Sequence, residues 1–248
     1  MNHSEIAKSG YANEQWLADL LSDWRTNSDA KKIIQYFGYD MDSVSDAYGI
    51  RLGNTGKVDV VLTVHQGNEK SQVGISCKKF SYSSGKGTGH VSRGIVDNYV
   101  FGFGLCYKVR ESLMAYAGGY IVEGKKGVHF DHPFFCSKKK KEIIDGFRDN
   151  YDLVFTKLFS SQHFPPEYFA VTVENDDDRM LFVTELENVI EYAKGDRRVW
   201  FGREKTKHNL ALGNVTMYRK GEELQFKMDY RAMIKSLGHR MRIFYINS

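Results

Sequence analysis

Two consecutive strand patterns between residues 57 and 80 constrain the fold more than any other feature of this sequence. KVDVVLTVH (57–65) is rich in β-branched residues, which predicts a buried strand. QVGISCKKF (72–80) alternates apolar and polar residues, which predicts a strand with one apolar and one polar face. Because a short turn segment, HQGNEKS, joins the patterns, we expect the two strands to pair antiparallel.

Helical and strand patterns are mixed along the rest of the chain. Helices are predicted at residues 13–24, 140–159 and 184–195, the last ending at Gly195. Further strands are predicted at 168–174 and within 213–229, where a turn at Lys220–Gly221 separates two of them. The mixture predicts an α/β fold: a single domain with a central mixed β-sheet flanked by helices.

Composition narrows the cellular context. The 248 residues are 42% hydrophobic and 27% charged, which is typical of a soluble globular protein. No apolar run approaches the roughly 20 residues that span a bilayer, and the N-terminus has no secretory pattern. The three cysteines are an odd number and widely spaced, so we expect no disulfide framework and a cytoplasmic protein without a membrane partner.

Charge is distributed unevenly along the chain. The net charge is +4, yet residues 194–248 carry 13 Lys/Arg against 5 Asp/Glu, while residues 142–191 carry 3 against 12. Residues 71–96 contain four basic residues and no acidic one. Folding could unite the two basic segments into one positive face, as binding of a polyanion requires. A solvated surface is the ordinary alternative.

Three familiar motifs do not fit the sequence. The glycines of SSGKGTG (83–89) match neither the G-x-x-x-x-G-K-[ST] frame of a P-loop nor the G-x-G-x-x-G fingerprint directly after a strand. The set Cys106, His129, His132 and Cys136 fits no zinc-finger spacing.

Antiparallel pairing of the two strands would bring three chemically different side chains together. Asp59 lies in the first pattern, and Ser76 and Lys78 lie two apart on the polar face of the second. Metal-dependent hydrolysis of a phosphodiester uses such a set, because a carboxylate holds Mg²⁺ and a lysine orients or deprotonates the attacking water. The alternative is that Lys78 is a lysine of an edge strand that deters aggregation.

The pattern of Asp59 followed by Ser76-Cys77-Lys78 resembles the PD-(D/E)XK nuclease core, with Ser76 where that motif usually has an acid. Three longer segments are similar to type II restriction endonucleases of the MspI-like group: residues 10–30, 52–64 and 213–229. The resemblance implies a restriction-endonuclease-like single domain over 1–248. Its catalytic core would cover about 10–100 and its DNA-reading hairpin about 208–230, while residues 100–212 have no clear match.

The resemblance also implies roles for the residues of the catalytic site. Asp59 corresponds to the metal-binding aspartate and Lys78 to the catalytic lysine. Ser76 takes a position that neutral polar residues occupy in similar enzymes, so one negative charge is missing. Glu14 corresponds to an acidic residue that some members add from the N-terminal helix, and it could supply that charge to Mg²⁺. A solvent-facing glutamate is the alternative.

The implied partner is double-stranded DNA with a short G/C-rich site, cleaved with Mg²⁺ to give 5′-phosphates by a monomer or loose homodimer. A cognate DNA methyltransferase would protect the host. The implied base contacts are Ser92, Thr216, Gln225 and Lys227. The candidate DNA-backbone contacts are Lys79, Lys86, Arg93, Arg219 and Lys220. Two alternatives remain: a non-catalytic DNA-binding protein, and a nuclease of the same fold that recognises a mismatch or junction.

Overall fold

The computed structural model describes residues 3–53, 56–81, 88–118, 136–160, 164–175, 178–202, 209–220 and 223–246. The chain divides into two compact units. The first unit comprises residues 1–87, 160–189 and 230–248, and the second unit comprises residues 88–159 and 190–229. Each unit contains a β-sheet with helices, so the predicted mixture of helices and strands is confirmed.

The first unit contains a six-stranded sheet in the order β1-β2-β3-β5-β6-β11. Its strands are Val44–Arg51 (β1), Val60–Gln66 (β2), Glu69–Ser81 (β3), Tyr168–Asn175 (β5), Asp178–Glu185 (β6) and Arg242–Ile246 (β11). β3 and β5 run parallel, whereas the other neighbouring pairs run antiparallel. The sheet is therefore mixed, as the sequence predicted.

The predicted hairpin is present within this sheet. β2 and β3 pair antiparallel with Val60 opposite Ile75, and the turn between them is shorter than expected because β2 ends at Gln66 and β3 begins at Glu69. Asp59 lies immediately before β2 rather than inside it. Its N–H donates to the carbonyl of Ile75 at 2.9 Å, and its carbonyl accepts from the N–H of Leu52 at 3.0 Å. The backbone of Asp59 is thus held on both sides.

Among the described residues, three α-helices belong wholly to the first unit: His3–Ser22 (α1), Ser28–Tyr36 (α2) and Tyr230–Leu237 (α8). Leu17 and Leu21 of α1 belong to the same buried cluster as Ile75 and Cys77 of β3. α1 and β1 approach so closely that a Cβ added at Gly49 would lie 2.5 Å from the carbonyl oxygen of Ala18. This close packing sets the position of α1 against the sheet.

The second unit contains a five-stranded antiparallel sheet in the order β4-β10-β9-β8-β7. Its strands are Thr88–Ile95 (β4), Val199–Phe201 (β7), Leu210–Leu212 (β8), Val215–Lys220 (β9) and Glu223–Asp229 (β10). The helices are Val96–Gly102 (α3), Tyr107–Ala117 (α4), Ser137–Asp149 (α5) and Tyr151–Phe159 (α6). Leu186–Lys194 (α7) begins in the first unit and ends in the second.

The second sheet was not anticipated, and one predicted helix is divided. The sequence predicted one helix over 140–159, but α5 ends at Asp149 and α6 begins at Tyr151. Asn150 between them leaves helical geometry with φ −112° and ψ 22°, and its side-chain amide donates to the carbonyl of Gly146 at 3.0 Å. Such local bonding by Asn competes with the helical pattern. Among the described helices, none is both long and apolar enough to cross a bilayer.

Candidate active site and nucleic-acid interface

Three donors converge on one carboxylate oxygen, Oδ2 of Asp59. The backbone N–H of Cys77 donates to it at 2.6 Å, the Nζ of Lys78 at 3.1 Å and the Oγ of Ser76 at 3.2 Å. The structure therefore brings together the carboxylate, hydroxyl and ammonium groups that the sequence placed on neighbouring strands.

The register of β2 and β3 explains this convergence. Ser76 and Lys78 lie two residues apart on β3, so both side chains are on the same face of the strand. Ile75 pairs with Val60, and so the next residues of β3 run beside Asp59. Asp59 and Lys78 retain 15% and 24% side-chain exposure, so the ion pair can still be reached from solvent.

Glu14 of α1 lies close enough to this ion pair to interact with it electrostatically. Burial and the neighbouring negative charge of Asp59 raise the pKa of Glu14, while Lys78 and Arg51 oppose the increase. Arg51 of β1 pairs with Glu14 at 3.6 Å, and its guanidinium lies over the ring of Tyr11 at 5.0 Å. Glu14 is therefore a second carboxylate at the site rather than a solvent-facing residue.

Lys57 is a further site residue that the sequence analysis did not identify. Burial and the positive charge of Lys78 lower its pKa to about 8, and the carboxylate of Asp59 opposes this decrease. The signal was present in the sequence, because Lys57 precedes Asp59 by two residues, a spacing that puts both side chains on the same side of an extended segment.

Aromatic and apolar groups surround the polar set. Burial raises the pKa of the Cys77 thiol, and burial together with Asp59 raises the pKa of Tyr230. The ring of Tyr230 lies 5.9 Å from that of Phe169, which pairs with Ser76 across the β3–β5 ladder. The low polarity of these neighbours strengthens the electrostatic interactions of Asp59 with Lys78.

The donor set fits Mg²⁺. This ion commonly binds through one or two carboxylates together with waters and substrate phosphates. Burial and the negative charge of Asp59 raise the pKa of Glu14, and a cation bound near either carboxylate would offset the repulsion between them. Within the described part of the chain, no cluster of three or more His, Cys, Asp or Glu side chains provides an all-protein metal cage.

Lys79 lies apart from this site. It follows Lys78 on β3, so its side chain is on the opposite face. Its Nζ pairs with Glu174 at 2.7 Å, and Glu174 also accepts from Arg179 at 2.6 Å. The candidate backbone contact Lys79 is thus part of an ion-pair network on the other side of the sheet.

Three of the four candidate base contacts share one face of the second sheet. Lys227 of β10 lies directly opposite Thr216 of β9, and Gln225 lies two residues before Lys227. The ammonium of Lys227 lies 5.1 Å from the ring centre of Tyr218, which pairs with Gln225. Gln225 is only 5% exposed, so it lies deeper than Thr216 and Lys227, which are half-buried.

Ser92, the fourth candidate base contact, lies on the other face, opposite the fully buried Phe226. Its Oγ accepts from the hydroxyl of Tyr99 at 3.1 Å, and burial raises the pKa of Tyr99 to about 12. The structure therefore groups Ser92 with the apolar side of the sheet rather than with Thr216, Gln225 and Lys227.

The remaining candidate backbone contacts are placed differently from one another. Arg93 is exposed and pairs with Glu223 at 2.5 Å. Arg219 is half-buried, donates to the carbonyl of Tyr116 at 3.3 Å and has its pKa lowered by burial. Lys220 ends β9, but its side chain lies outside the described residues, as does the whole of Lys86.

Comparison with known proteins adds no family. No protein-family model matches the chain, and no curated protein matches it.

Proposed function

We propose that this chain is a Mg²⁺-dependent nuclease that cleaves double-stranded DNA at a short G/C-rich site and leaves 5′-phosphates. It would be a type II restriction endonuclease of the PD-(D/E)XK superfamily, similar to the MspI-like group. The observation that carries the proposal is the convergence of Ser76, Cys77 and Lys78 on Asp59, with Glu14 as a second carboxylate.

Each side chain has a role in this chemistry. Asp59 and Glu14 would hold Mg²⁺, which supplies a Lewis acid that stabilises negative charge on the scissile phosphate. Lys78 is held at Asp59, from where its ammonium orients the attacking water or donates to a phosphate oxygen. Ser76 fixes the carboxylate through its hydroxyl. Lys57 adds a second ammonium beside Lys78 and so increases the positive potential that the DNA strand meets.

The polar face of the second sheet supports sequence-specific binding. In the major groove of DNA, lysine donates to guanine O6 and N7, and glutamine can pair with adenine. Lys227, Thr216 and Gln225 lie on β9 and β10, two neighbouring inner strands of the five-stranded sheet.

Further elements of the proposal follow from the family resemblance. The mixed sheet of the first unit would be the restriction-endonuclease-like core. The enzyme would act in the cytoplasm as part of a restriction-modification system, as a monomer or loose homodimer beside a cognate DNA methyltransferase.

Digestion of supercoiled plasmid DNA, with Mg²⁺ and with EDTA, tests the proposal. We expect discrete fragments only with Mg²⁺, and sequencing of their ends should give one short site and 5′-phosphates. Sequence-specific binding without cleavage in any divalent metal ion would indicate a non-catalytic DNA-binding protein. Cleavage restricted to mismatched or junction-containing duplexes would indicate the structure-specific nuclease instead.

A further inference from the structure

A β-bulge in β4 changes which of its side chains face the same way as Lys227. β4 pairs with β10, with Arg93 opposite Gln225 and Ser92 opposite Phe226. The register then shifts by one residue, so that His90 rather than Val91 lies opposite Lys227. A bulge of this kind inserts one unpaired residue and redirects the side chains that follow.

The burial of the neighbouring residues is consistent with this change of direction. Val91 is 9% exposed and Phe226 is fully buried, so both belong to the apolar face that also holds Ser92. His90 and Arg93 are exposed. Without the bulge, strict alternation along β4 would place His90 on the apolar face with Ser92. The extra residue moves it to the polar face.

The polar face presents hydrogen-bonding groups in two rows across the strands. Residues paired directly across strands share a face and have Cβ atoms about 4.5–5.5 Å apart. One row contains His90, Lys227, Thr216, Ala211 and Trp200. The other row contains Arg93, Gln225 and Tyr218. Neither row contains a carboxylate, although two lie on the same face of β10: Glu223, which pairs with Arg93, and Asp229, two residues after Lys227.

We propose that His90, rather than Ser92, is the base-contacting residue that β4 contributes to duplex DNA. This inference rests on the proposed function. An imidazole provides a donor and, when neutral, an acceptor, and both groups have counterparts on base edges in the major groove. Because bases are about 3.4 Å apart along a strand, His90 and Lys227 are close enough to contact the same or an adjacent base pair.

The test compares the cut sites of the wild-type chain, His90→Ala and Ser92→Ala on a plasmid library that carries a randomised segment. Sequencing of the cut ends gives the base preference at every position of the site. We expect His90→Ala to lose a base contact. Relative to the preferred site, it should cut sites with another base at one or two positions about fivefold or more often than the wild-type chain does. Ser92→Ala should retain the wild-type preference and lower only the thermal midpoint, since the hydroxyl of Tyr99 loses its partner.

Two controls separate recognition from folding. The thermal midpoint of His90→Ala should stay within a few degrees of that of the wild type, because substitutions at exposed positions usually change stability little. His90→Gln keeps a hydrogen-bonding side chain and should change the preferred base at the same positions. If His90→Ala folds but does not cut, its binding is measured instead. The ratio of its affinities for the wild-type site and for a scrambled duplex should then be smaller than the same ratio for the wild-type chain.

The outcomes distinguish the inference from the function on which it rests. A wild-type chain that cuts without any preferred site overturns both. A wild-type chain with a defined site, together with unchanged preferences in both His90 variants, overturns the inference alone. If Ser92→Ala loses the base preference while His90→Ala keeps it, the base contact belongs to Ser92.

Discussion

At the scale of single residues, the site depends on the hydrogen bonds that fix the backbone and the carboxylate of Asp59. Its backbone bonds to Leu52 and Ile75, and its Oδ2 receives three further hydrogen bonds. Asp59 lies just before β2, but its three donors belong to β3, and groups on regular strands keep their geometry better than groups on loops. In our proposal, Ser76 takes the place of an acid of the PD-(D/E)XK motif, and Glu14 from α1 compensates for the missing charge.

The role of Glu14 can be tested through the metal requirement. We expect Glu14→Gln to raise the Mg²⁺ concentration for half-maximal cleavage by about tenfold, because one of two ligating carboxylates is lost. Asp19→Asn removes one exposed carboxylate from the same helix and is the matched control. The measurement is a Mg²⁺ titration of single-turnover cleavage. Equal Mg²⁺ requirements for the wild type and Glu14→Gln would remove Glu14 from the metal site.

At the scale of secondary-structure elements, local patterns were more predictable than long-range contacts. The hairpin of β2 and β3 was predictable, because alternation and a short turn determine it within about 20 residues of sequence. The position of Glu14 could not be worked out from local pattern and was expected only from the family resemblance, since it depends on the packing of α1 against β1. The bulge in β4 was equally hidden, because a register shift depends on the partner strand and leaves no periodic signal.

The packing of α1 against β1 gives an element-scale prediction. Gly49→Ala would force a Cβ to within 2.5 Å of the Ala18 carbonyl oxygen, a backbone atom that cannot rotate away. We expect a loss of about 1–3 kcal/mol in the free energy of unfolding, together with weaker Mg²⁺ binding as Glu14 shifts. Gly10→Ala in the interior of α1 meets no atom within 4 Å and should stabilise by about 0.5–1 kcal/mol. Chemical denaturation measures both, and an unchanged stability of Gly49→Ala would contradict the close approach.

An ion-pair cluster at the start of α6 predicts a pH dependence. Hydrogen bonds from Arg197 and Lys194 lower the pKa of Asp152 to about 2. Because the pKa of Asp152 is lower in the folded state, its ionised carboxylate stabilises the fold at pH values above its unfolded pKa of 3.8. This contribution is lost as the pH falls toward 2. Asp152→Asn should therefore lower the thermal midpoint by roughly 1–3 °C at pH 6, a small effect because the pair is exposed. At pH 3 the decrease should be smaller, since part of the contribution of the ion pair is already lost in the wild type.

The control for this measurement is Asp149→Asn, which removes an exposed carboxylate from the end of α5. A difference between the wild type and Asp152→Asn that stays constant from pH 6 to pH 3 would show that the ion pair is not the source.

At the scale of the whole molecule, the candidate chemistry and the candidate DNA recognition lie in different units. Asp59, Lys78 and Glu14 belong to the first unit, whereas Lys227 and Thr216 belong to the second. The sequence resemblance covered both ends of the chain. It gave no information about residues 100–212, which contribute helices and strands to the second unit and β5 and β6 to the first.

This separation predicts that recognition and cleavage can be altered independently. Lys227→Ala should weaken discrimination between the specific site and a site with one base pair changed by about 1–3 kcal/mol, and Gln225→Ala should do the same. The rate of single-turnover cleavage at saturating DNA should stay within a few-fold of the wild type. Equal losses of affinity for specific and random duplexes would instead identify phosphate contacts.

Single-turnover cleavage of the specific duplex by Lys78→Ala and Lys79→Ala tests the central claim most directly. The two lysines are neighbours on β3 but lie on opposite faces, one at Asp59 and the other at Glu174. We expect Lys78→Ala to bind the site and lose cleavage by several orders of magnitude, while Lys79→Ala cuts within a few-fold of the wild-type rate. Cleavage by Lys78→Ala near the wild-type rate would contradict the assignment of this site.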